Sequence, residues 1–576
     1  MPYDLVIRGG SVVDGSGLPR YRADVGVVDG RIAAIGRIRE PARQVIDAEG
    51  QVVAPGFIDG HTHMDAQVCW DPLGTCSSFH GVTSVLMGNC GFTLAPSRAA
   101  ERHLVVRNLE RAEDIAAEAM AEGIAWSWET YPEYLDALER LPKGIHYGGY
   151  VGHSALRTFA MGERAFEQAA TPEDLAAMQR ELRAGLRAGA FGFTTSRSDQ
   201  HQTSDDRPVA SRLARWDEVR ALVGVLGELG AGLFELANED AAHADPDAQA
   251  DYFARLQALA VETGVPVCFG VGSTRHAPQS WRAWMGLMDR VAEAGGRMFA
   301  QVHARRFDIV WSFRAHLPFD GLPGWRELRA RPLAEQRNAL RDPALRARLV
   351  RSAHESPYGQ AIGAEARKPD YDWVFVLEDA LGPHPCLGDM ARERGLDPVE
   401  LLIEIALETG FERCFLQPIA NEVPDQVLAL MKHPRSVVTF SDAGAHVSQI
   451  SDASIPTYLL GHWVRREQAI TLEEGVRMLT LVPASAFGLH DRGLLREGLV
   501  ADLVVFDPEQ VAPELPRIEH DLPGNAARLV QRARGIAATV VAGEVLLRDG
   551  KHTGALPGRV LRGPLARRAT GGAEAA

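Results

Sequence analysis

His61 and His63 stand at i and i+2 in Gly60-His61-Thr62-His63-Met64-Asp65, directly after the apolar run Val52-Val53-Ala54-Pro55-Gly56-Phe57-Ile58. Side chains on a strand alternate faces, so this pair points two imidazoles at one spot. Neutral imidazole is a common ligand for zinc and its neighbours, and a rigid strand end can hold the ion. Two further residues close apolar runs. Cys90 ends Val85-Leu86-Met87-Gly88-Asn89-Cys90; beside a divalent cation its thiol would be deprotonated, and otherwise it is a small buried side chain. Asp442 follows Val437-Val438-Thr439-Phe440-Ser441, where an unpaired carboxylate would be costly and a metal or cationic partner is expected. With His61 and His63 it would make two imidazoles and a carboxylate around one ion. Open positions would remain for water and substrate, as in a catalytic rather than a closed structural site.

These residues need a scaffold that brings strand ends together. The middle of the chain alternates short apolar strands with long amphipathic helices such as Pro172–Ala188 and Trp216–Leu229. The strand candidates are Val52–His63, Thr83–Gly91, Ile145–His153, Gly189–Ser196, Gly232–Ala237, Val265–Val271, Met298–His303 and Ser436–Asp442. Alternation of this kind implies a parallel sheet, and this many strands imply a (β/α)8 barrel with its chemistry at the C-terminal strand ends. Arg413-Cys414-Phe415-Leu416-Gln417-Pro418 also reads as a strand and leaves the count open. Both ends of the chain show short strands with tight turns, so one small β domain built from both termini is expected. The boundaries are 1–52 and 485–576 for that domain and 53–484 for the barrel, with a helical insertion at 311–374. Arginines recur from Arg326 to Arg351 within the insertion. They fit either a solvated helical face or a lid supplying cations over the barrel mouth. The segment Ala569–Ala576, small and polar, is expected to be disordered.

At 576 residues the chain exceeds what one core usually organises, and its net charge of −15 argues against nucleic acid as a partner. Six cysteines without a Cys-x-x-Cys pair, no signal-peptide start and no apolar run of membrane-spanning length lead to the expectation of a cytoplasmic protein with no membrane partner.

The motifs resemble the amidohydrolase superfamily and, within it, a divergent branch of the N-acyl-D-amino-acid deacylase (D-aminoacylase) family. The resemblance covers nearly the whole chain. It rests on Asp4-Leu5-Val6-Ile7-Arg8-Gly9-Gly10, Ala54–His63 and Gly498–Phe506, and more narrowly on Gly88-Asn89-Cys90-Gly91-Phe92, Val151-Gly152-His153, Gly189–Thr195 and Ser441-Asp442-Ala443-Gly444-Ala445-His446. It implies a distorted (β/α)8 barrel with a β-sandwich from both termini and a helical insertion near the last strands. It further implies hydrolysis of an amide at a metal centre, with Cys90 matching the family's cysteine ligand and Asp442 acting as general base.

The chain departs from the family where D-aminoacylases place metal-binding histidines, at the ends of the fifth and sixth strands. Leu233–Glu239 and Val265–Ser273 have none there; His243 and His276 lie further along. Glu235, Asn238, His276 and His303 remain as substitutes. The expectation is therefore one divalent ion, zinc first, on His61, His63 and Asp442 with Cys90 beside it; the usual ligands of a second ion are missing. Arg306 and Arg197 are candidates for gripping a substrate carboxylate, or for salt bridges to Asp199, Asp205 or Asp308. His153 and His303 join them as substrate-side residues, with a hydrogen-bonding role at the barrel top as the alternative for His153. His201 and His446 could reach the site, but read first as loop histidines rather than ligands. The expected partner is a small-molecule linear amide, such as an N-acyl amino acid or a peptide-like metabolite; a homo-oligomer is left open. A cyclic amide or carbamoyl substrate fits less well, because Gly189–Arg197 holds no lysine to be carboxylated. A non-catalytic scaffold gives no physical reason to keep four convergent ligands.

Overall fold

The structure, a computed structural model, describes residues 2–239, 245–359 and 367–566. Among them, eight barrel strands run in chain order: β1 (Phe57–Thr62), β2 (Val82–Met87), β3 (His146–Gly149, resumed at Val151–Gly152), β4 (Gly192–Ser196), β5 (Leu233–Ala237), β6 (Val267–Gly270), β7 (Met298–Val302) and β8 (Ser436–Val438, resumed at Phe440–Ala443). Neighbours pair in parallel throughout, and β8 returns to β1 through Phe440 opposite His61 and Ala443 opposite Thr62. The ladder is interrupted within β3 and β8, where each strand changes partner. The helices between strands begin and end as their caps dictate. Thr171 and Asp174 form a capping box ahead of Pro172–Ala188, and Gly230, at φ 58°, closes Trp216–Leu229.

Nine strands among the described residues, drawn from both ends of the chain, form one sheet that runs from Arg31–Gly36 at one edge to Lys551–His552 at the other. It encloses its own core, including Leu5, Ile7, Val25, Leu503, Val505 and Val540. The tail then returns to the barrel, where Gly558 and Leu561 donate to the carbonyls of Lys143 and Tyr147.

The insertion differs from the expected helical 311–374. Its separate core reaches from Ile309 to Phe415. It carries a three-stranded antiparallel sheet of Phe307–Trp311, Phe415–Ala420 and Phe375–Val376. The strand foreseen at Arg413–Pro418 belongs to that sheet and not to the barrel. Several of its arginines are internal braces: Arg329 reaches Asp320 and Gln336, Arg337 the Gly410 carbonyl, and Arg346 Glu400 and Glu404. Ala569–Ala576 and His243 lie outside the described residues.

Candidate metal centre and active site

β1 delivers His61 and His63 to the barrel top, and β2 runs into a tight turn that places Cys90 beside them. One donor atom from each of the three lies within 4.8 Å of the others, and all three side chains are buried. Asp442 joins from β8, with Oδ1 3.1 Å from His61 Nε2 and 3.4 Å from His63 Nε2. Cys90 and Asp442 hold left-handed backbone, at φ 54° and 52°. Such a conformation is tolerated by aspartate but unfavourable for cysteine, and it persists where surroundings enforce it, often at functional sites. The glycines after them are spatially required: a Cβ on Gly91 would stand 2.9 Å from the Thr195 Cα, and one on Gly444 2.6 Å from the His63 carbonyl.

Hydrogen bonding fixes the His61 ring. The Gln301 amide nitrogen faces the Gly60 carbonyl, so its Oε1 accepts from His61 Nδ1 at 2.8 Å. The Nε2 lone pair is then turned toward Asp442 and toward Cys90 Sγ, 3.6 Å away. Two buried acceptors this close repel unless positive charge lies between them. A proton or a metal ion can supply that charge. Burial opposes charge on His61, but the Asp442 carboxylate, Glu235 and Gln301 outweigh it and raise the imidazole to about 9. Burial likewise works against the Asp442 carboxylate, yet the neighbouring His61 and His63 hold it well below the usual carboxylate range. Burial lowers His63 to about 4 despite Asp442. Burial, then Glu235, Asp442 and Glu113, keeps the Cys90 thiol protonated without a cation. Imidazole, thiol and carboxylate donors converging in a buried site, short of positive charge, fit a divalent cation.

Two buried carboxylates complete the surroundings. Glu235 on β5 accepts from the Cys90 backbone N–H at 2.7 Å and lies 3.8 Å from Cys90 Sγ; burial lifts it to about 7. Glu113, from the connection between β2 and β3, lies 3.3 Å from His63 Nδ1. Above these groups opens a cavity of about 900 Å3, within the range of small-molecule sites. His201, His303 and His446 line it, as do Phe307, Ile309 and Ile419 of the insertion, and Arg367.

The structure does not bring the other substrate-side residues to this cavity. His153 is fully buried, its Nδ1 2.8 Å from Thr195 Oγ1 and its Nε2 2.9 Å from Glu218 Oε1, while Arg157 grips both oxygens of Glu218. Arg197 pairs with Glu239 rather than Asp199 or Asp205, and Arg306 pairs with Asp308 and stacks on Phe375. His303 does face the cavity, with Asp452 3.0 Å from its Nε2. His276 is exposed, away from the centre.

The Glu218 network carries a stability prediction. Burial disfavours the Glu218 carboxylate, but His153 and Arg157 prevail and bring it from 4.5 down to about 2. A folded-state pKa below the unfolded value stabilises, fully above pH 4.5 and progressively less as pH falls toward 2. Glu218→Gln leaves the Arg157 charge buried and is expected to cost about 3 kcal/mol at pH 7. Urea denaturation midpoints at pH 7 check this; an unchanged midpoint would contradict the assignment.

The fold and the site define a barrel hydrolase built around a metal. The amidohydrolase family model matches residues 44–547, and the chain belongs to that family. Within it, the chain stands with the D-aminoacylases and N-acyl-D-amino-acid deacylases. It is 30% identical over 572 residues to N-acyl-D-glutamate deacylase of Alcaligenes xylosoxydans xylosoxydans, covering 96% of this chain and 98% of that one. The crystal structure of N-acyl-D-glutamate deacylase from Bordetella bronchiseptica, complexed with zinc and a phosphonate mimic of the reaction's tetrahedral intermediate, superposes with a TM-score of 0.63. It is 27% identical and covers 98% of this chain and 100% of its own. A D-aminoacylase structure has a TM-score of 0.63 at 25% identity, with 97% and 100% coverage. It was described for one-metal activation and second-metal attenuation of a binuclear centre.

Proposed function

We propose that the protein hydrolyses the amide bond of a linear, anionic N-acyl compound, an N-acyl amino acid or a peptide-like relative, with one divalent metal, zinc first. The observation that carries this reading is the convergence of His61, His63, Cys90 and Asp442 at the floor of the cavity. These four residues would hold the ion, which when bound polarises the amide carbonyl and lowers the pKa of water. Gln301 keeps the His61 ring in the ligating tautomer. Asp442, ionised at neutral pH, is placed to take the proton of the attacking water and pass it to the leaving nitrogen. The reading of one ion is supported by β5 and β6. Glu235 stands on β5 and is bonded to the Cys90 backbone, while β6 ends in Gly270.

Arg367 supports an anionic substrate. It lines the cavity, its Nε is buried without a hydrogen-bond partner, and among the described residues no carboxylate pairs with it. Burial alone acts on it, and lowers its pKa. A guanidinium with its Nε buried and no carboxylate against it among the described residues is costly to hold, and a substrate carboxylate would relieve that cost. Arg367→Met is expected to raise KM for an N-acyl amino acid by about 10- to 100-fold with little change in kcat, the mark of a lost binding contact to a charged group. The same variant should barely affect the corresponding amino-acid amide. Equal losses on both substrates would contradict the role. The reading as a whole is tested by amine release from a panel of N-acyl-D- and N-acyl-L-amino acids by the zinc-loaded protein. Hydrolysis of one stereochemical series supports it, and inertness toward every linear amide would sink it.

A further inference from the structure

His63 presents Nε2 to Asp442, while its buried Nδ1 has no hydrogen-bond partner in this structure and faces the Glu113 carboxyl, whose Oε1 lies 3.3 Å away. Glu113 is itself buried, at 2% exposure, and its Oε2 is unpartnered. A carboxyl group buried beside those of Asp442, Asp65 and Glu235 stays there only if something holds it. The backbone does so. Glu113 N–H donates to Leu109, its carbonyl accepts from His446 N–H at 2.6 Å, and Asp114 Oδ2 takes both the Ser448 N–H and its hydroxyl. The segment carrying Glu113 is thus fastened to the loop that follows Asp442. His61 has a neutral amide, Gln301, as its outer partner. His63 has a carboxylate.

We propose that Glu113 is a positioning residue of the metal centre: it receives the Nδ1–H of His63, sets that ring with Nε2 toward the ion, and strengthens it as a ligand. The inference rests on the single-metal reading above. Outer carboxylates of this kind typically govern metal affinity by 10- to 100-fold. The test is zinc affinity of the full chain, measured by chelator competition, in the wild type, Glu113→Ala, Glu113→Gln, His63→Ala and the Glu113→Ala/His63→Ala pair. The expected result is about 10- to 100-fold weaker binding in Glu113→Ala, and a smaller loss in Glu113→Gln, which keeps an acceptor oxygen but no charge. In the double variant there should be no loss beyond that of His63→Ala alone, because Glu113 acts through that ring. Binding within twofold of wild type in both single Glu113 variants would overturn the proposal, as would an equal further loss in the His63→Ala background. If Glu113→Ala does not fold, Glu113→Gln decides. Failure of the underlying reading looks different, since the wild type would then bind no zinc at all.

Discussion

Asp442→Asn is expected to lower kcat by about 10^3-fold on any amide the protein hydrolyses, within the span that general-base groups contribute. The substitution isolates chemistry from folding. Asparagine tolerates the left-handed backbone that Asp442 adopts at φ 52°, and it keeps the shape of the side chain. What it loses is charge, and with it part of the grip on the ion, so the kinetics are read at saturating zinc. The Asp442 carboxylate is held ionised by His61 and His63 against the cost of burial, and a neutral amide cannot accept the water's proton. Amine-release kinetics with unchanged circular dichroism would check it. Activity within tenfold of wild type would show that another group, such as Glu113 or Glu235, serves as base.

His61→Ala has the second large effect. One of four ligands is removed, and with metal–protein binding energies of roughly 10–16 kcal/mol the loss is on the order of 3 kcal/mol, or about 10^2-fold in affinity. The imidazole does more than ligate. It is the first of the two rings that hold Asp442 below its usual range, and it fills the space against Phe440 at 4.3 Å between ring centroids. The variant should therefore lose zinc at micromolar chelator and lose turnover with it. Retention of both would place the metal elsewhere.

How much of this was legible depended on where each residue sits in the chain. His61, His63 and Asp442 end apolar strands, so alternation and the cost of burying a charge single them out in the sequence, whereas Cys90 rests on its place at a strand end and on the family resemblance. The helices Pro172–Ala188 and Trp216–Leu229 announce their ends through Thr171, Gly189 and Gly230. The same logic reaches Glu235, a carboxylate inside Leu233-Phe234-Glu235-Leu236, and Gln301, two residues before His303 on β7. Their inward faces could have been read, but not their partners, which come from other strands. Glu113 and Arg367 carry no local signal. Each lies outside the regular strands and is brought in by packing between distant segments. His153, Arg197 and Arg306 mislead for a related reason. A cation or histidine just past a strand end can turn to a neighbouring carboxylate instead of the cavity, and Glu218, Glu239 and Asp308 capture these three.

The central claim is a single metal held by His61, His63, Cys90 and Asp442. The most direct measurement is the zinc content of the purified full-length protein after dialysis against metal-free buffer, compared with Cys90→Ser and His61→Ala. The account predicts about one equivalent in the wild type and substantial loss in both variants. Two tightly held equivalents, or one equivalent undiminished by either substitution, would contradict it.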